Sequence, residues 1–137
     1  MPLTISESLA GLPVFLAYFG LALAFCVLYC VLYVRITPYA EYRLIREGKI
    51  APAISFSGAI LGFVIPLASA VSHSISLLDM IAWGAIAFVV QILVFFVTQK
   101  IFSSLAHDME NDRIPSGIML AVFSIAAGIL NAACMTY

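Results

Sequence analysis

TPYAEYRLIREGKIAPAISFSGAILGFVIPLASA, residues 37–70, decides the fold. It joins the densest cluster of positive charge in the chain to a long apolar run. That run carries small residues, an interior proline and almost nothing ionisable. A bilayer core about 30 Å thick asks for roughly 20 such residues in a helix. Basic side chains collect where a span meets the cytoplasm. The stretch therefore reads as a membrane boundary followed by a membrane span.

The rest of the chain agrees. Of 137 residues, 64% are hydrophobic and 9% are charged, and the mean hydropathy is +1.15. A soluble domain carries about a quarter charged residues, so lipid must be the solvent for most of this chain. Four apolar runs stand out: Pro13–Val34, Ile50–Val71, Leu78–Gln99 and Ile114–Cys134. Hydrocarbon offers no partners for free backbone groups, which makes each run a helix. The runs are continuous, without period-two alternation, which argues against a β-barrel. The length fits four spans with short loops in a single integral domain, residues 1–137, and leaves no soluble domain.

All six basic residues sit in two loops: Arg35, Arg43, Arg46 and Lys49 between spans one and two, Lys100 and Arg113 between spans three and four. By the positive-inside rule both loops are cytoplasmic and both termini are outside. The N-terminus lacks a charged n-region, so span one is expected to act as an uncleaved insertion signal. Met1–Leu12 reads as an external leader at the interface, and Tyr137 as an outer anchor.

Within span one, Tyr29 and Tyr33 lie one turn apart near the cytoplasmic end and read as interface anchors. Cys26 and Cys30 share a helical face. Two thiols make a poor metal site, and apolar filling is the plainer reading. In loop one, Thr37 suits an N-cap, Pro38 the first helical position, and Gly48 a terminator. Pro38–Glu47 then reads as a short amphipathic helix on the cytoplasmic surface, with Tyr39, Tyr42 and Ile45 toward the membrane. Its basic residues Arg43 and Arg46 and the following Lys49, with Tyr39 and Tyr42, are candidates for contact with anionic lipid headgroups or a peripheral cytoplasmic partner.

Span two carries Gly58 and Gly62 as a GxxxG pair, with Ser55 and Ala59 at the same spacing and Ser57 beside them. Small residues let helix backbones approach closely in lipid. Pro66 should kink the span and free the carbonyl near Gly62. Ser76 and Asp79 fit a cap for span three. Gln91, near mid-membrane, is costly to leave in lipid and should pair with Ser55, Ser57, Ser124 or a second copy of itself. Asn131 in span four lies at the depth of Pro66 and is expected to bond the carbonyl that Pro66 frees. Gln91, Asn131, Pro66, Ser55, Ser57, Gly58 and Gly62 are thus candidates for packing or for lining a path. In loop three, His107, Asp108, Glu110 and Asp112 match no metal-loop spacing. No metal, cofactor or nucleic acid is implied.

Shifting the chain by 64 residues aligns its halves without gaps: Gly20 falls on Gly84, Lys49 on Arg113 and Ile54 on Ile118. The expected fold is all-α and membrane-embedded. Four transmembrane helices form two parallel two-helix repeats, about residues 13–71 and 78–134, plus the short cytoplasmic helix. Four thin helices leave little interior, so a homo-oligomer is expected to bury Gln91 and the small-residue faces.

Three motifs carry a resemblance: residues 37–70 as quoted, LLDMIAWG (77–84) and GILNAACMTY (128–137). They are similar to the YjfL-like bacterial inner-membrane proteins. Those proteins usually have alanine at the position of Pro52 and asparagine at that of Lys49. The resemblance implies a bacterial inner membrane, four spans in a duplicated two-span unit, and no established catalytic residues. Its members' occurrence beside envelope-stress components implies a role in membrane homeostasis. The expectation is a non-enzymatic, oligomeric protein of envelope maintenance. A small channel or transporter is the alternative, although no span interior carries an acid or base to couple ions.

Overall fold

The computed structural model describes residues 4–135; Tyr137 and the first three residues of the leader lie outside them. Its elements are all helical: α1 Ile5–Leu9, α2 Leu12–Ile36, α3 Glu41–Arg46, α4 Ile50–His73, α5 Leu77–Ile101, α6 Leu105–Glu110 and α7 Ile114–Cys134. Helices α2, α4, α5 and α7 are the four long enough and apolar enough to cross a membrane. The expected spans are recovered: Ile114–Cys134 coincides, and the other three extend by up to two residues at one or both ends. Within the leader, Ile5–Leu9 is also helical. Thr4 and Glu7 form a capping box, with Thr4 Oγ1 accepting from the Glu7 amide and Glu7 Oε2 accepting from the Thr4 amide.

Helix α4 is the axis of the bundle. Its buried positions, from Ala51 and Ser55 through Gly58, Gly62 and Pro66 to Ala70, recur every three or four residues and form one stripe. Helix α7 lies along that stripe as its most extensive neighbour. The facing pairs run in the same sense on both helices: Ala51 with Gly117, Gly58 with Ala121, Gly62 with Ser124. The two helices are therefore parallel. Each glycine is needed because the partner backbone occupies the place of a side chain. A Cβ on Gly58 would overlap the Cα and Cβ of Ala121, and one on Gly128 the carbonyl of Gly62. Without a hydrophobic drive between helices in lipid, such close backbone packing is what holds spans together.

Helix α5 packs against both α4 and α7, and α2 leans on α4 and α5 mainly through Tyr29 and Tyr33. These two tyrosines are buried, not interface anchors as the sequence suggests. Tyr29 stacks on Phe63 at 4.7 Å, and Tyr33 meets Phe56 and Phe95 edge-on at 5.5 and 5.3 Å. Bulky α4 and α5 rings at that level leave a slot that a phenol ring fills. Large apolar side chains elsewhere on α2, such as Phe15, Phe19 and Val27, are exposed, as expected of a surface solvated by acyl chains.

The short helices α3 and α6 occupy the same end of the bundle. Each ends in a Schellman turn with a left-handed residue 64 positions apart: Gly48 at φ 86° and Asp112 at φ 53°. Lys49 N–H donates to the Leu44 carbonyl, and Arg113 N–H to the Asp108 carbonyl. Thr37 does not cap α3. Its hydroxyl donates to the carbonyls of Val34 and Tyr39 and closes α2 instead, and α3 starts only at Glu41 without a side-chain cap. The residue before a proline favours extended backbone. Thr37 and the following residues use that extension to carry the chain under the bundle.

Candidate functional site

Three polar constellations stand out. The first is at mid-bundle. Pro66 has no N–H, so the carbonyl four residues earlier, that of Gly62, has no intrahelical donor. Gln91 Nε2 fills that gap, donating to the Gly62 carbonyl at 2.8 Å and to the Ser124 carbonyl at 3.1 Å. One side chain from α5 thereby ties α4 to α7. Gln91 is 1% exposed within a single chain; its Nε2 is satisfied there, while its Oε1 is buried without a hydrogen-bond partner. Asn131 does not bond the freed carbonyl: it is half-buried and its Nδ2 has no hydrogen-bond partner. The reason is reach. Gly128 presses its backbone on Gly62 there, and Gln91 is the amide that points at that carbonyl. Ser57 is exposed on the outer side of α4 and does not meet Gln91.

The second constellation is the outward face of α3. Tyr42 is 67% exposed, and the Arg46 guanidinium lies 5.6 Å over its ring. Arg43 is exposed beside Glu47, with 3.8 Å between their charged groups. An exposed pair of this kind adds little stability and leaves both arginines available to anions. Lys49 is half-buried at the start of α4. Tyr39 does not belong to this face. It is buried with Leu44, so the apolar side of α3 is Tyr39–Leu44 and not Tyr39–Tyr42–Ile45.

The third constellation is the inward face of α3, which sequence reasoning missed. Glu41 is 1% exposed, and Ser55 Oγ donates to its Oε1 at 3.4 Å. Its Oε2 and the hydroxyls of Tyr33 and Tyr39 are all buried without a hydrogen-bond partner. Burial raises the Glu41 carboxyl to about 8, against weaker lowering by Ser55, Thr37 and Tyr39. Burial, and then the nearby Glu41 carboxylate, raise the Tyr39 phenol. A signal for Glu41 was present in the sequence. At the 64-residue offset its counterpart is Leu105, an apolar residue.

Two acidic residues of the second short connection are engaged in the fold, while Glu110 is exposed. Asp112 Oδ1 accepts from the Ala51 amide at 2.7 Å, capping α4, and Asp108 Oδ2 accepts from Ser116 Oγ at 2.8 Å. Among the described residues, no three His, Cys, Asp or Glu side chains come together as a metal ion would require.

Comparison with known proteins adds the following. The family described as Domain of Unknown Function (DUF350) matches residues 7–135. The chain is 39% identical over 129 residues to the UPF0719 inner membrane protein YjfL of Escherichia coli (strain K12), covering 94% of this chain and 98% of that protein. It is 29% identical over 119 residues to the UPF0719 transmembrane protein YshE of Bacillus subtilis (strain 168), covering 85% and 89%. No solved structure matches.

Proposed function

The chain belongs to the DUF350 family, and from that premise we propose a non-enzymatic inner-membrane protein that works at its α3/α6 end, in support of envelope maintenance. That end faces the cytoplasm, and its basic face engages the headgroups of anionic lipids. The orientation is supported by the placement of all six basic residues at the two connections that carry α3 and α6. The single observation that carries the reading is the two-sidedness of α3. One face, Glu41 and Leu44, is locked against the bundle, and the other presents Tyr42, Arg43 and Arg46 outward. While docked, a buried anchor on one side makes the six-residue helix a bracket that presents its charges outward. The interior supports the same reading. Backbone-to-backbone packing of α4 on α7, with the Gln91 amide donating across it, fills the place where a path through one chain would run.

The test is lipid retention. Near an anionic surface each basic residue is worth about 1 kcal/mol. Arg43→Gln with Arg46→Gln should therefore reduce retention of phosphatidylglycerol over phosphatidylcholine by roughly 30-fold at low salt. Native mass spectrometry of protein released from mixed-lipid nanodiscs reads that ratio. An unchanged ratio would remove the headgroup reading.

A further inference from the structure

We propose that Glu41 is a proton-binding site, and that uptake of one proton by its carboxyl is coupled to docking of α3 against α4.

Glu41 opens α3 and is buried at 1% exposure; Ser55 Oγ donates to its Oε1 at a long 3.4 Å, and its Oε2 accepts no hydrogen bond. No cation compensates it: among the described residues the ion pairs are Arg43–Glu47 and Arg113–Asp108. The titratable groups that face it are Tyr29 and Tyr33 from α2 and Tyr39 from the chain leading into α3. Helix α4 contributes Ser55, which does not titrate. A carboxylate buried this way without a counter-ion is disfavoured in its ionised form. A protonated carboxyl has an O–H to donate, and the hydroxyl oxygens of Tyr33 and Tyr39, which interact with Glu41, can accept it.

The fold itself does not ask for an acid there. Helix α6 opens on Leu105 in the corresponding place, buried to 1%, and docks through an apolar side chain. The acid at position 41 therefore adds something that packing alone does not need.

The sign follows from linkage. In the docked state the carboxyl titrates at about 8, and once α3 leaves the bundle it returns to its ordinary value of 4.5. The docked state holds the proton between these values and the undocked state does not. Docking is strongest below 4.5, weakens as pH rises through the window to about 8, and is constant above it. One proton per event makes the undocking constant rise up to about tenfold per pH unit inside the window. The site stands without the headgroup reading; only its consequence, that presentation of Arg43 and Arg46 follows pH, rests on that reading.

Hydrogen exchange of the full chain in nanodiscs, from pH 5 to 9 and corrected for intrinsic rates, tests the site. The reporters are the Leu44 and Lys49 amides, which bond the Ala40 and Leu44 carbonyls. In the wild type their opening should rise up to about tenfold per pH unit and level off above pH 8. Glu41→Gln, which keeps the shape of the neutral acid, should abolish that slope. Glu41→Leu, which copies the apolar side chain found at Leu105, should do the same and covers the case in which the amide does not fold. A flat wild-type profile, or a slope that persists in either variant, overturns the proposal. Lipid retention measured on the same samples separates the two readings: a pH slope with headgroup preference unaffected by the arginine substitutions keeps the proton site and removes the headgroup role.

Discussion

Gly58→Leu is expected to prevent α4 and α7 from pairing, at a cost of at least ~3 kcal/mol, the upper end of ordinary overpacking. The obstacle is not a flexible side chain that can turn aside. A Cβ at position 58 falls on the Cα and Cβ of Ala121, so α7 itself would have to move. Moving it also pulls the Ser124 carbonyl from Gln91 and the Gly128 backbone from Gly62, because all three contacts lie on the same helix. Gly20→Leu is the control. It lies on α2 with nothing within 4 Å of a new Cβ, so it should leave stability unchanged or slightly raised by helix propensity. Unfolding by added sodium dodecyl sulfate in mixed micelles compares the two. Equal losses would mean that α4 and α7 do not pack as described.

Gln91→Leu is the second large effect, and its origin can be isolated. Two interhelical hydrogen bonds are lost, each worth about 0.6 kcal/mol on average in membrane proteins. The Gly62 carbonyl is then left bare, which adds about 1–3 kcal/mol. The total is ~2–4 kcal/mol. Pro66→Ala should relieve most of the second part, because an alanine at 66 supplies the N–H that the proline lacks and returns the Gly62 carbonyl to its own helix. In a double-mutant cycle the cost of Gln91→Leu should fall by ~1 kcal/mol or more in the Pro66→Ala background. Simple additivity of the two substitutions would show that Gln91 does not serve the carbonyl freed by Pro66.

The spans are legible in the sequence because lipid imposes a coarse requirement, a long apolar helix, and the runs meet it to within two residues at each end. Gly58 and Gly62 are legible as a packing face for the same reason: spacing on one helix is a property of the chain alone. Which partner reaches which group is a different matter. The carbonyl freed by Pro66 follows from the proline itself, but the amide that bonds it belongs to Gln91 on α5, not Asn131 on α7, and that depends on how three helices cross. The inward turn of α3 is hidden for a related reason. A helix of six residues has too few turns for its apolar face to be read by period, and in the sequence Glu41 is one charge among several. Its apolar counterpart Leu105 at the 64-residue offset hints at the difference, and its burial against Ser55 and the tyrosines separates it from Glu47, which stays in solvent.

The proposal rests on one picture: a bundle packed closely along α4 and α7 that would act through the end carrying α3. Ion flux into liposomes containing the purified chain tests that most directly. A closely packed bundle predicts flux of potassium, sodium and protons no greater than in protein-free vesicles, at any pH from 5 to 9. Saturable flux in the wild type that Gln91→Leu abolishes, with fold and size unchanged, would contradict it and make the mid-bundle amide the lining of a path.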